Sequence, residues 1–244
     1  MGKQLTLSRS NPAPLHPRAL WAYEAAMASA GWGALIASTL AVGQRLEVAP
    51  ALFFIVLAVG LKLEGFRVAP LVTLSLAGVA VLAALLALGS PGGAWVAAPA
   101  GFIFLALRLR PGYRQLRLAL FAGGLNALVL LLAAHVYTLL GGRWVPRDLQ
   151  GSDLLPLLGL CLTWFLGDHL GWSLHAALSE GRRGMVGFLR AIQRTSLAVE
   201  LLPLPLSSVV AIGYRVLDPL AFMLLALFPL AAGELLRRLN LTLN

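Results

Sequence analysis

The chain is a succession of apolar runs, most of them close to twenty residues long, separated by short segments rich in Arg, Lys, Pro or Gly. About twenty residues at 1.5 Å each cross a hydrocarbon core of about 30 Å. That pattern predicts an all-α, polytopic membrane bundle, and eight spans are read between the charged or Pro/Gly-rich breaks. They cover about 20–42, 48–61, 70–88, 94–107, 118–140, 154–178, 196–214 and 217–237. The second and fourth are short, which suits a tilted or partly re-entrant segment. Residues 1–19 read as a cytoplasmic tail, 20–238 as the membrane domain and 239–244 as a cytoplasmic exit segment. The tail is no signal peptide, because its apolar core starts too late.

Composition agrees. Hydrophobic residues make up 59% of the 244 and charged residues 12%, against about 25% charged in a soluble domain. A water-soluble globule would need more polar surface than that. Cys161 stands alone, so an internal disulfide is excluded.

The net charge of +9 would suggest a polyanion partner in a soluble protein. Here it resolves into topology. With alternate loops on opposite faces, Arg45, Arg143, Arg147 and Arg215 fall on one side and the remaining fifteen Lys and Arg on the other. By the positive-inside rule, the basic side is cytoplasmic and holds both termini. No nucleic-acid partner is implied. Arg108, Arg110, Arg114 and Arg117, with Arg182 and Arg183, also form clusters able to hold anionic lipid headgroups. The expected location is a bacterial cytoplasmic membrane, and the bilayer is the first partner.

Ionisable groups inside spans are costly, so each marks a functional hypothesis. The set is Glu24, His135, Asp168, His169, His175 and Glu200, with the amide of Asn126. On the sixth span Trp164, Asp168, Trp172 and His175 are spaced four, four and three apart, which puts them on one helical face. Such a stripe suits a small polar or cationic ligand, or a proton relay; the bland alternative is packing indoles and an Asp paired to a neighbouring helix. Depth places Glu24, His175 and Glu200, with Asp168 above them, in the inner half of the membrane, where they would converge on a polar cavity. Pro203 and Pro205 interrupt the seventh span and free backbone carbonyls there.

Other chemistries are set aside. The lysines, Lys3 and Lys62, lie in polar segments, so no retinal-type Schiff base is expected. His135 and His169 differ in depth by about 15 Å, too much for a bis-histidine haem. No metal motif, phosphate loop or nucleotide fingerprint occurs. No cofactor, metal or catalytic residue is assigned.

Three stretches resemble the multi-span N-terminal membrane region of bacterial cyclic-di-GMP signalling proteins that carry HD-GYP or GGDEF domains. They are Glu64-Gly65-Phe66-Arg67-Val68 with Leu74-Ser75-Leu76, the run from Ala119-Leu120-Phe121 to Leu139-Leu140-Gly141-Gly142, and Phe165-Leu166-Gly167-Asp168 to Glu180-Gly181-Arg182. Asp168 stands where that family usually has an amide. The resemblance covers about 46–238 and implies a sensor-like module. Residues 234–239 then resemble an exit helix toward a cytosolic signalling domain or partner. The function expected is a membrane sensor that binds a small ligand, lipid or partner through an intramembrane polar pocket. The alternatives are a small-molecule transporter or substrate-binding membrane subunit and, less favoured, an intramembrane lipid-modifying enzyme.

Overall fold

The computed structural model describes residues 16–43, 47–69, 72–109, 112–144, 150–195 and 203–217, with Phe222, Ala231 and Leu235 beyond them. Among the described residues six helices form: α1 (Pro17–Val42), α2 (Val48–Glu64), α3 (Ala77–Arg108), α4 (Tyr113–Leu139), α5 (Leu154–Thr195) and α6 (Pro203–Val216). A 3-10 turn, Gly151–Asp153, leads into α5. The architecture is the expected helical one, with one short exception. Strands β1 (Phe66–Ala69) and β2 (Val72–Leu74) pair antiparallel, Phe66 opposite Leu74 and Arg67 opposite Thr73. The third apolar run was expected to begin its helix at Pro70; the helix begins at Ala77 instead. Val68, Val72 and Thr73 are β-branched, which suits the paired strands 66–69 and 72–74; Pro70 itself lies outside the described residues.

Among the described residues four elements are long and apolar enough to cross a membrane: α1, α3, α4 and Gly151–Arg190. Two of them are not straight rods. A straight α3 of 32 residues would be about 48 Å long, well beyond a hydrocarbon core. At Gly89 its backbone takes φ 79° and ψ −179°, a region essentially reserved for glycine. A β-carbon on Gly93 would lie 2.5 Å from the Leu85 α-carbon. In a straight helix, positions eight apart are separated by about 12 Å. The chain therefore reverses at Gly89, and α3 is a pair of antiparallel arms, 77–88 and 90–108. These are the third and fourth apolar runs of the sequence, joined by a turn rather than a loop.

The same device recurs in α5. Gly181 takes φ 68° and ψ −159°, and a β-carbon on Gly184 would fall 2.8 Å from the carbonyl oxygen of Ala176. The rings of His169 and Phe188 are 6.4 Å apart, although nineteen residues of straight helix would span about 28 Å. Residues 182–195 thus form a return arm. In both reversals a glycine follows three residues after the first, and its β-carbon would meet the side chain just before the break: Gly92 against Leu88, Gly184 against Glu180.

The first arm of α3 is the centre of the bundle. Every residue from Leu76 to Ala87 is buried, as an arm apolar on all sides requires. It packs with α2, α4 and α6 into the main core. α1 crosses α4 where Gly31 and Gly124 meet backbone to backbone, the close approach that small residues permit in membrane bundles. Contacts fix two ends. At one, Arg215 donates to the Ala87 carbonyl (3.0 Å) and Tyr214 to Glu47 Oε2 (3.2 Å). At the other, Lys62 and Arg108 flank the Phe104 ring. The eighth apolar run, apart from Leu217, Phe222, Ala231 and Leu235, and the start of the seventh lie outside the described residues.

Candidate functional site

Between α2, both arms of α3, α4 and α5 lies a cavity of about 180 Å³. Three of its walls come from glycine or alanine positions that hold helices close enough to need no filling side chain: Gly78, Ala97 and Gly101 on α3, and Ala122 on α4. A β-carbon on Gly101 would reach the Asn126 side chain. Asn126 lies over that glycine and donates through Nδ2 to the Ala97 carbonyl at 3.3 Å, tying α4 to the second arm.

The α5 wall carries Trp164, Asp168, His169 and Trp172. Their side chains share a face because the helix repeats every 3.6 residues. His169 Nδ1 lies 2.8 Å from the Phe165 carbonyl, to which it donates one turn back along the helix. The return arm adds Phe188.

The α2 and α3 walls carry the basic side chains, Lys62 and Arg108. Lys62 Nζ sits 5.5 Å from the Phe104 ring centroid and the Arg108 guanidinium 5.0 Å, so one aromatic ring holds both. Arg108 also donates to the Leu63 carbonyl (3.4 Å). Ser75 lies beside them, its Oγ accepting from the Ala77 amide at 3.4 Å. Lys62 of α2 and Asp168 of α5 line the same cavity. The wall therefore presents the basic side chains of Lys62 and Arg108 and the carboxyl of Asp168 within a largely apolar bundle.

A second polar cluster stands apart from this cavity. Glu24 of α1 is buried (3% exposed). One carboxylate oxygen meets His175 Nε2 of α5 at 2.9 Å and the other meets Arg117 Nε of α4. Nε2–H donates to the carboxylate, and His175 Nδ1 has no hydrogen-bond partner among the described residues. The Phe121 ring lies 5.1 Å from His175 and 5.2 Å from Trp172. Nearby, the Tyr23 hydroxyl donates to the Gly171 carbonyl at 2.9 Å. The cluster clamps α1, α4 and α5 together.

The structure thus divides the residues that the sequence grouped. Trp164, Asp168, Trp172 and Asn126 line one cavity; His175 and Glu24 meet each other outside it. Glu200 lies outside the described residues, as does Arg110. Of the arginines read as a headgroup cluster, Arg108 enters the cavity wall and Arg117 pairs with Glu24. Arg114, Arg182 and Arg183 are exposed. Lys62 and Ser75 were missed as site residues. Lys62 read as a loop charge because it ends an apolar run, and only the fold brings that helix end against Asp168. Among the described residues no three His, Cys, Asp or Glu side chains gather as a metal site.

At the other end of the bundle, Arg143 grips Asp153 through two bonds, Nε to Oδ1 at 3.1 Å and Nη2 to Oδ2 at 2.6 Å. Asp153 also accepts from the Gln150 amide at 2.8 Å. The Arg143 hydrogen bonds hold its carboxyl below the usual carboxylate range.

Set against models of protein families, curated proteins and solved structures, the chain matches none.

Proposed function

We propose that the chain is a ligand-sensing module of a bacterial cytoplasmic membrane, with eight crossings and both termini in the cytoplasm. The observation that carries this reading is the cavity holding Lys62, Arg108 and Asp168 between helices otherwise apolar. Charge at that depth is costly and marks a working site. Coupling has a physical route. Phe188 of the return arm forms part of the cavity wall, and the arm leads on toward α6. A ligand seated beside Phe188 changes the packing of the arm, and the movement passes to the C-terminal helices. The resemblance of the apolar runs to signalling membrane regions supports the same reading, with a cytosolic signalling domain or partner as receiver. The exposed Arg114, Arg182 and Arg183 then face anionic headgroups at the inner leaflet.

Gly187 sits on the exposed side of the return arm, and a β-carbon there meets nothing within 4 Å. A spin label on Gly187→Cys, paired with one on α4 in a Cys161→Ala background, reports the arm's position. A small-molecule screen by thermal stabilisation supplies ligands. The expected result is a ligand that raises the unfolding temperature and shifts the label distance, with both effects lost in Trp172→Ala. Ligands that stabilise the protein without moving the arm would sink the sensor reading.

A further inference from the structure

We infer that the cavity takes a small organic acid, its carboxylate or phosphate held by Lys62 and Arg108 at the Phe104 end. This rests on the cavity being the ligand site. The wall carries the cationic side chains of Lys62 and Arg108 against one carboxyl, Asp168; with Lys62 and Asp168 both charged or both neutral, Arg108 leaves it one positive charge in excess, which an anion-bearing ligand offsets in a low-dielectric setting. Both basic side chains lie against the Phe104 ring, Lys62 Nζ 5.5 Å and the Arg108 guanidinium 5.0 Å from its centroid. Ser75, whose oxygen already accepts from the Ala77 amide, has its hydroxyl proton to give at that end. Lysine supplies a mobile point charge and arginine a planar fork, the pair of chemistries that suits an oxyanion.

Size limits the rest of the ligand. A cavity of about 150 Å³ accepts a benzene ring, so about 180 Å³ takes a body of that bulk or slightly more. Trp164 and Trp172 offer flat apolar faces for it. Asp168 lies on the α5 wall, whereas the basic side chains come from α2 and α3, and it competes with the ligand for them. It therefore sets a direction of binding, acid group toward Phe104 and apolar body toward the indoles. Two sources share this chemistry: a soluble acid and an anionic lipid headgroup.

The test uses the full chain in phosphatidylcholine nanodiscs and four probes of equal bulk, read by calorimetry: benzoate, phenyl phosphate, benzyl alcohol and benzylammonium. Benzoate and phenyl phosphate are expected to bind and the other two to bind at least tenfold more weakly. Lys62→Gln and Arg108→Gln should each weaken benzoate by about ten- to a hundredfold, with Lys62→Arg retaining most of the affinity. Asp168→Asn should tighten benzoate, an effect that misfolding cannot imitate. Adding phosphatidic acid to the nanodisc separates the sources: displacement of benzoate assigns a headgroup, and no displacement a soluble acid. Preferential binding of benzylammonium, abolished in Asp168→Asn, would overturn the inference. Equal binding of benzyl alcohol and benzoate would also overturn it while leaving the cavity a ligand site. If no probe binds, the inference falls, and the sensing role is decided separately by the screen and the Gly187 label.

Discussion

His175 Nε2 lies 2.9 Å from Glu24 Oε1, and Arg117 closes on the other oxygen of the same carboxylate. Three helices meet at one buried acid, and removing Arg117 alone leaves its carboxylate without a permanent counter-charge in an apolar interior.

Arg117→Gln should therefore cost more than the loss of one ion pair. Breaking a buried pair from one side costs roughly 3–5 kcal/mol. Arg117 keeps 25% of its side-chain surface, so the lower end of that range is expected. The double variant Glu24→Gln/Arg117→Gln should recover much of the loss, because no uncompensated carboxylate remains. Thermal unfolding in detergent checks both. A double variant no more stable than Arg117→Gln would mean that the ion pair is not what the cluster supplies.

The two reversals give a second prediction. Gly89→Ala and Gly181→Ala each place a β-carbon on backbone essentially open to glycine alone, at an expected cost of about 1–3 kcal/mol. Gly187→Ala, on exposed helix with open space around it, should be neutral or slightly stabilising. Unfolding midpoints of the three variants compare directly; equal midpoints would refute the reversals as strained points.

Much of the helical order was legible in the sequence, because apolar runs of membrane length have few other solutions. Gly89 and Gly181 show where that ended. A Gly-x-x-Gly pattern reads as loop, kink or packing motif, and only positive φ at the first glycine turns it into a fold-back. The site shows the same limit. The four-four-three spacing on α5 did place Trp164, Asp168 and Trp172 on the cavity wall. It could not tell that His175, a further turn along, would rotate toward α1 and α4. Lys62 and Arg108 close apolar runs some forty-six positions apart, and nothing local to either marks that one phenyl ring, Phe104, holds them both.

Acid should loosen the loop end of the bundle. Asp153 titrates below its ordinary value because Arg143 bonds to its ionised form. A depressed carboxyl contributes stability that is fully present above the unfolded value, about 4, and lost as pH falls through the folded value. Wild type should exceed Asp153→Asn in unfolding temperature at pH 6 and 7, and the gap should close below about pH 4. A gap independent of pH would show that the Asp153 side chain acts by packing rather than by charge.

The orientation of the bundle rests on the split of basic residues, and two glycines make it measurable. Gly112 precedes α4 and Gly151 opens the turn before α5, so they bracket α4 at opposite ends. Neither would meet another atom within 4 Å on gaining a β-carbon, so cysteine at either position should leave the fold intact. In a Cys161→Ala background, a membrane-impermeant maleimide added to intact cells should label Gly151→Cys and spare Gly112→Cys, and permeabilised cells should label both. The reason is electrostatic. Arg108, Arg114 and Arg117 crowd the Gly112 end, and short loops rich in Arg and Lys stay on the cytoplasmic side. Labelling of Gly112→Cys alone from outside would invert the bundle and put the Lys62–Arg108 end of the cavity on the outer face. Equal labelling of both from outside would place both loops on one side of the membrane and remove α4 as a crossing.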